Sequence, residues 1–209
     1  MKRIVLFIII CIAAVRVALA QEITPAVTVY PEFKPAVIML DDGRKLKQPL
    51  ANIFLKNSSL LYKQGVQTME ANLAHVLSVE FDDRTYIKID SLLAYLVDTV
   101  GVGALYCAKR IDLVAYRNTL ANNKVITNMN LGEIVSTSTI SLSDEDDIHF
   151  PIIPLYYFRI NDKMVFVHER NLNRILSKEK RRIMKSIMAQ DGFSWTDESW
   201  LLRLLKAIQ

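Results

Sequence analysis

A stretch near residue 180 carries cationic side chains at a spacing typical of one helix face. At about 100° per residue, four of them fall on a single stripe: Arg174, Lys178, Arg181 and Lys185. Apolar residues fall on the opposite side: Leu172, Leu176, Ile183 and Ile187. Guanidinium and ammonium groups donate hydrogen bonds to carboxylates and phosphates. The pattern predicts either a docking surface for an acidic partner or anionic lipid head groups, or an ordinary solubilising helix face.

Other residues that could do chemistry lack the spacing that a known site requires. The segment 101–103 begins like a dinucleotide-binding loop, but Tyr106 stands where the third glycine is needed. The segment 168–169 begins like a zinc-protease helix, but Leu172 replaces the second imidazole. We therefore predict no catalytic residue, no cofactor-binding residue and no metal ligand.

Two further histidines are interpreted from their neighbours. His149 follows the acidic run 144–147, which lacks the alternating ligands and the glycine of a calcium loop. A solvated acidic loop is the expected state, and whether it binds a cation stays open. His75 would share a strand face with Leu77 and Val79, as a core or rim imidazole.

The first twenty residues predict export. Lys2 and Arg3 precede an apolar run over 4–15, and the segment 18–20 (Ala-Leu-Ala) supplies the small residues of a signal-peptidase site. The run is too short to span roughly 30 Å of hydrocarbon as a helix. We predict a signal peptide over 1–20 and an extracytoplasmic, periplasmic or secreted chain beginning at Gln21. Cleavage would lower the formal net charge from +4 to +1 because the segment carries three cations.

Cysteine content indicates how the exported chain must fold. Cleavage removes Cys11 and leaves Cys107 alone, so no intramolecular disulfide can form. The chain after Gln21 is long enough to bury a core of its own. Cys107 lies in an apolar strand-like segment, which predicts a buried thiol.

Alternation of apolar and polar residues predicts the strands. Strands are expected over 36–40, 53–55, 60–62, 76–81, 86–89, 104–107, 113–116, 155–160 and 164–168. The residue pair 42–43 (Asp-Gly) and the segment 161–163 have the composition of hairpin turns. The segment 91–100 fits a strand or a helix.

Helices are expected after residue 169. Ser177 can cap a helix that begins at Lys178, which would break the cationic stripe after Arg174, and Thr196 can cap a last helix. That last helix has an apolar packing stripe: Leu201, Leu204, Leu205 and Ile208. The fold class predicted is α+β, an antiparallel β-sheet or small barrel or sandwich followed by a C-terminal helical segment. Its parts are a β-rich body over 21–168, with a polar insert near 118–149, and a helical segment over 169–209 that packs on the body.

The signal sequence and the strands between residues 30 and 117 resemble a loose class of uncharacterised, secreted, β-rich envelope proteins of Gram-negative bacteria. The resemblance implies a secreted or periplasmic β module. It supplies no site residue.

Two functions are predicted from different classes. The first is a non-enzymatic extracytoplasmic module that contacts a protein or another envelope component, with peripheral contact to an anionic membrane surface. The alternative is an envelope enzyme whose carboxylates and histidines converge only in three dimensions. Nucleic-acid binding is not expected, because no aromatic residue interleaves the cationic stripe and export separates the protein from that ligand.

Overall fold

The computed structural model describes residues 23–24, 26–122 and 150–209. The predicted signal peptide, the acidic run and His149 lie outside these residues. The strands are β1 Ile23–Thr24, β2 Lys34–Leu40, β3 Lys45–Phe54, β4 Ser59–Gln64, β5 Gln67–Glu70, β6 Val76–Glu80, β7 Thr85–Ile89, β8 Leu92–Val100, β9 Gly103–Ile111, β10 Phe150–Ile160 and β11 Lys163–Phe166. The α-helices are α1 Leu113–Asn122, α2 Glu169–Ile175, α3 Lys178–Met188 and α4 Glu198–Ile208, and a 3₁₀ turn spans Leu73–His75.

The strands form one antiparallel sheet in the order β1-β10-β9-β8-β7-β6-β2-β3-β4-β5, with β11 also paired to β10. Hairpins connect most neighbours, and two of these hairpins, β2–β3 and β10–β11, were predicted from their turn residues. Asn161 and Asp162 both adopt positive φ between β10 and β11, and Gly43 does so between β2 and β3. The predicted α+β class and antiparallel sheet are confirmed. The barrel alternative is wrong, since β5 and the β1/β11 edge do not pair within the described residues.

The open sheet curls so that its distant strands share a core. The turn between β3 and β4 reaches β8, where Leu93 N donates to Ser58 O at 2.8 Å and Ser58 Oγ donates to Leu93 O at 2.7 Å. The same turn reaches the end of β9, where Ile111 N donates to Leu55 O at 2.7 Å. Strands four or more places apart in the sheet order are therefore joined through this turn.

The C-terminal helices pack on the sheet, where α4 contacts β8 and β9. Leu105 and Cys107 on β9 point towards α4, whose four predicted packing residues, Leu201, Leu204, Leu205 and Ile208, are fully buried. The predicted burial of Cys107 is also confirmed. Within the described residues, no helix has the length and apolar character needed to cross a membrane.

Two predictions about individual elements are wrong, and a segment that fitted either a strand or a helix is now assigned. Residues 113–116 form the start of α1 instead of a strand, because the Asp112 carboxylate accepts from Val114 N at 3.1 Å and Ala115 N at 2.9 Å and caps a helix. The cap of α4 is Asp197, not Thr196: the Asp197 carboxylate accepts from Ser199 N at 2.8 Å. The segment left open between strand and helix is strand β8.

Candidate functional site

The cationic stripe lies on two helices that meet at a break. Ser177 caps α3, as predicted, and its hydroxyl accepts from Lys180 N at 3.3 Å. Arg181 Nε donates to Leu176 O at 2.9 Å, so this side chain also satisfies the carbonyl at the end of α2. Arg174 is therefore on α2, and the other three cations are on α3.

All four predicted cations are exposed, and a fifth belongs with them. Arg182 is exposed and lies four residues after Lys178, on the same face of α3. These five exposed cations form a basic face: Arg174, Lys178, Arg181, Arg182 and Lys185. Within the described residues, no carboxylate forms an ion pair with any of the five.

The apolar side of these helices departs from the predicted set at one position. Leu172, Leu176 and Ile187 are buried, but Ile183 is 38% exposed. Met184 takes the core position and is fully buried. The break at Ser177 restarts the helical phase, so a stripe drawn through both helices misplaces Ile183. Because the apolar side of α3 is packed against the core, its solvent-facing side presents mainly charged side chains.

The histidines within the described residues have local partners. His75 Nδ1 lies 2.9 Å from Asp41 Oδ2, and the His75 side chain is 78% exposed. The expected core or rim position is wrong, because the 3₁₀ turn directs this residue outwards before β6 begins. His168 caps α2, where its Nδ1 accepts from Arg170 N at 3.2 Å, and its ring stacks on Trp195. No group of three His, Cys, Asp or Glu side chains is placed to hold a metal ion within the described residues.

A second cluster lies at the β6–β7 turn and was not predicted from the sequence. Four rings form a row in which neighbouring ring centroids are 4.9 to 5.9 Å apart: Tyr30, Phe81, Tyr86 and Tyr95. Tyr86 and Tyr95 pair directly across β7 and β8, which accounts for their contact. Tyr30 comes from the segment before β2, so no sequence spacing reveals the row.

Charged groups surround this aromatic row. The Arg84 guanidinium carbon lies 4.1 Å from the centre of the Tyr95 ring. Lys34 Nζ lies 2.6 Å from Asp82 Oδ1 and 2.9 Å from Asp83 Oδ1. Tyr30 Oη also donates to Asp83 Oδ1, at 3.0 Å. The two carboxylates of the turn are thus engaged by Lys34 and Tyr30.

Burial raises the pKa values of the tyrosines in the row. Tyr86 is only 2% exposed, and burial raises the pKa of its hydroxyl, against the lowering influence of Tyr30 and Arg84. Burial also raises the pKa of Tyr30 and of Tyr95. All three hydroxyls are protonated at neutral pH, as an ordinary tyrosine already is, and burial extends this protonation to more alkaline pH.

The row continues into the core towards α4. Burial raises the pKa of Tyr156, and its Oη donates to Glu198 Oε1 at 3.2 Å. Tyr95 lies between this contact and the turn, and packs against both the helical core and the β2–β8 core.

Comparisons with known protein families, with curated proteins and with solved structures find no match to this chain.

Proposed function

We propose that this protein is a non-enzymatic extracytoplasmic module that contacts an acidic surface of an envelope or surface partner through its basic face. The observation that carries the proposal is the set of five exposed cations without a carboxylate partner in the described residues. Exposed charges of one sign contribute little to folding and repel one another. An acidic partner would relieve that repulsion and gain electrostatic attraction.

The packing of α3 supports contact at a surface rather than insertion into a membrane. Met184 and Ile187 are buried against the core, so the apolar side of the helix is not free to enter lipid. Contact with anionic head groups through this face would be peripheral and sensitive to salt. The alternative of an envelope enzyme gains no support from His75 and His168, whose side chains have structural partners.

Export is part of the proposal, because the basic face would meet an envelope partner only outside the cytoplasm. We expect the mature protein to begin at Gln21. Intact-mass measurement of protein from the envelope fraction tests this expectation. Recovery of a cytoplasmic chain that retains residues 1–20 would contradict the proposed location.

The docking proposal is tested by the double variant Arg182→Gln plus Lys185→Gln. Both side chains are exposed, and neither makes the helix-capping hydrogen bond of Arg181. We expect several-fold weaker association with envelope fractions at low salt, and a difference that shrinks as salt is raised. Vesicles containing phosphatidylglycerol, without protein, show whether lipid alone accounts for the association.

The matched control is Lys45→Gln plus Lys47→Gln, which removes the same charge from exposed positions on β3. Equal loss of association in both double variants would indicate a response to net charge alone. Association of the Arg182/Lys185 variant that equals the parent's at low salt would reject the basic face as a docking surface.

A further inference from the structure

One outer edge of the sheet lies along β5 and is open. Within the described residues, β5 pairs with β4 only and ends the strand order. Just after β5, Ala71 N donates to Leu60 O at 2.8 Å, in register with that pairing. Because hydrogen bonding alternates along an antiparallel strand, the odd-numbered residues of β5 also direct their backbone groups to β4. Thr68 and Glu70 therefore direct their N–H and C=O groups outwards, away from the sheet.

The β5 edge lacks the features that prevent a strand from pairing with another chain. Natural edge strands often carry a lysine, a proline, a bulge or a projecting charge. The sequence of β5 is Gln-Thr-Met-Glu, which contains neither lysine nor proline. Its one charged side chain turns back into the sheet, since Glu70 Oε1 accepts from Asn57 Nδ2 at 2.6 Å and from Ser59 Oγ at 2.7 Å. The Glu70 carboxylate is therefore not directed at an incoming strand.

The opposite side of the sheet has such features. There β1 is only two residues long, and the stretch of β10 between its β1 and β11 partners contains Pro154, which has no N–H to donate. β11 begins with Lys163 and is contacted by α2, where Asn171 Nδ2 donates to Phe166 O at 3.3 Å. Only the β5 side is suited to strand pairing, so pairing between copies of the chain stops at two and forms no fibre.

A second copy fits the β5 edge in one antiparallel register. A two-fold axis that pairs Thr68 of each copy with Glu70 of the other uses every outward backbone group of β5. Moving the axis towards Glu70 would place two negatively charged Glu70 residues directly opposite each other, which is destabilising. Moving it the other way would set Glu70 against Val66, which lies in the β4–β5 turn after Gly65 at positive φ. The remaining register places Met69 on the axis.

The side chain on that axis is apolar and accessible. Met69 is 38% exposed and lies opposite the half-buried Tyr62 on β4. In the paired state the two Met69 side chains meet, and one apolar row runs from Tyr62 of one copy to Tyr62 of the other. The strand is short and the buried area is small, so the dimer dissociates on dilution.

We propose that two copies of this chain associate by antiparallel pairing of their β5 edges, about a two-fold axis at Met69. The sheet then continues from one copy into the other. This pairing uses none of the cations of the basic face and does not depend on the docking proposal.

Oxidative crosslinking tests the register. Opposed residues of a non-hydrogen-bonded pair have Cα atoms about 4.5 Å apart, within the range of a disulfide. We expect Met69→Cys to form a covalent dimer several-fold faster than the equally exposed control Thr68→Cys, whose two Cα atoms would be more than about 7 Å apart. The parent reports the background from its own cysteines. Equal rates for the two variants would place the contact elsewhere and reject the proposal.

Sedimentation velocity measures the association itself. We expect the parent to shift from monomer to dimer between about 1 μM and about 1 mM. Thr68→Pro removes one outward N–H from each copy, so the dissociation constant should rise roughly tenfold or more. Thr68→Ala keeps that N–H and is the matched control, with an unchanged constant. A parent that stays monomeric throughout, or a Thr68→Pro dimer as tight as that of Thr68→Ala, would overturn the proposal.

The unfolding temperature separates an effect at the edge from a folding defect. The N–H of Thr68 does not bond to β4, so dilute Thr68→Pro and Thr68→Ala should unfold at similar temperatures. A clear loss in the proline variant alone would show that this N–H belongs to the β4–β5 ladder, and it would overturn the outward direction on which the pairing rests.

Discussion

Gly103 occupies a position where a single added carbon would crowd three residues, one on β10 and two at the C-terminal end of α4. A Cβ atom there would lie 2.6 Å from Gln209 Nε2 and 3.1 Å from both Arg159 O and Leu205 Cδ1. We expect Gly103→Ala to lower the free energy of unfolding by about 1–3 kcal/mol, the usual cost of overpacking. Urea unfolding measures this change. The loss should be smaller in a Gln209→Ala background, and an equal loss there would show that the Gln209 side chain is not part of the collision.

Asp83 predicts a dependence of stability on pH. Partial burial alone would raise the pKa of its carboxyl, but hydrogen bonds from Lys34 and Tyr30 outweigh burial and hold it below the ordinary value. A pKa that is lower in the folded state contributes stability above the unfolded pKa of about 3.9. That stability is lost as the pH falls through the folded value.

The test compares the parent with Asp83→Asn across pH. We expect the variant to be less stable at pH 7, and the difference to shrink below about pH 4, where the parent carboxyl also loses its charge. Urea midpoints at pH 7, 5, 4 and 3 report the difference. A gap that stays constant down to the lowest pH would show that the charge of Asp83 is not what stabilises the turn.

Single residues also show how far the sequence could specify the sites. Four of the five cations of the basic face were predicted, because helical spacing alone places residues such as Lys178 and Lys185 on one side, and Arg182 was missed. Arg84 and Tyr86 were missed because their neighbours, Tyr30 and Tyr95, come from other segments and meet only after β7 pairs with β8. His75 was misplaced since the 3₁₀ turn before β6 leaves no signal in the strand alternation.

At the scale of the element, the cap of α4 offers a direct comparison between two neighbouring residues. Asp197→Ala should cost about 0.5–2 kcal/mol, because the carboxylate accepts from Ser199 N and Trp200 N. Thr196→Ala is the matched control, since Thr196 is exposed and is not the cap. Thermal unfolding of both variants measures the two losses of stability, and Asp197→Ala should show the larger one. A larger loss from Thr196→Ala would contradict the observed cap.

The packed face of α4 leads to a second prediction. Leu204 is fully buried, so Leu204→Ala should lower stability by about 2–5 kcal/mol. Leu202 is only half-buried and serves as the control, with a smaller expected loss. Urea denaturation compares the two. A Leu204→Ala midpoint no lower than that of Leu202→Ala would show that α4 does not contribute its apolar stripe to the core in solution.

Elements were predicted well where local signals agreed. Both hairpins follow from their turn residues, and α3 begins where Ser177 caps it. Helix α1 was missed because residues 113–116 are apolar enough for a strand, and the decisive group is the carboxylate of Asp112 just before them. Local patterns do not specify the order of strands, which depends on contacts such as that of Ser58 with Leu93.

For the whole molecule, Cys107 is a reporter of cooperativity. Its side chain lies between the sheet and α4 and is 1% exposed. In protein that begins at Gln21 it is the single thiol, so alkylation should proceed only as fast as the core opens. We expect no modification of the native parent by iodoacetamide within minutes and faster modification of Leu204→Ala. Rapid modification of the parent would show that α4 detaches without global unfolding.

The cover that α4 provides for β9 and β10 also imposes an order on biogenesis. Leu105 and Phe158 are made before α4, and their side chains stay open to solvent until Leu201 and Leu205 can reach them. At roughly 5–20 residues per second, translation leaves this surface bare for seconds. If the chain is exported as proposed, a chaperone that binds exposed apolar strands could contact this surface during that interval.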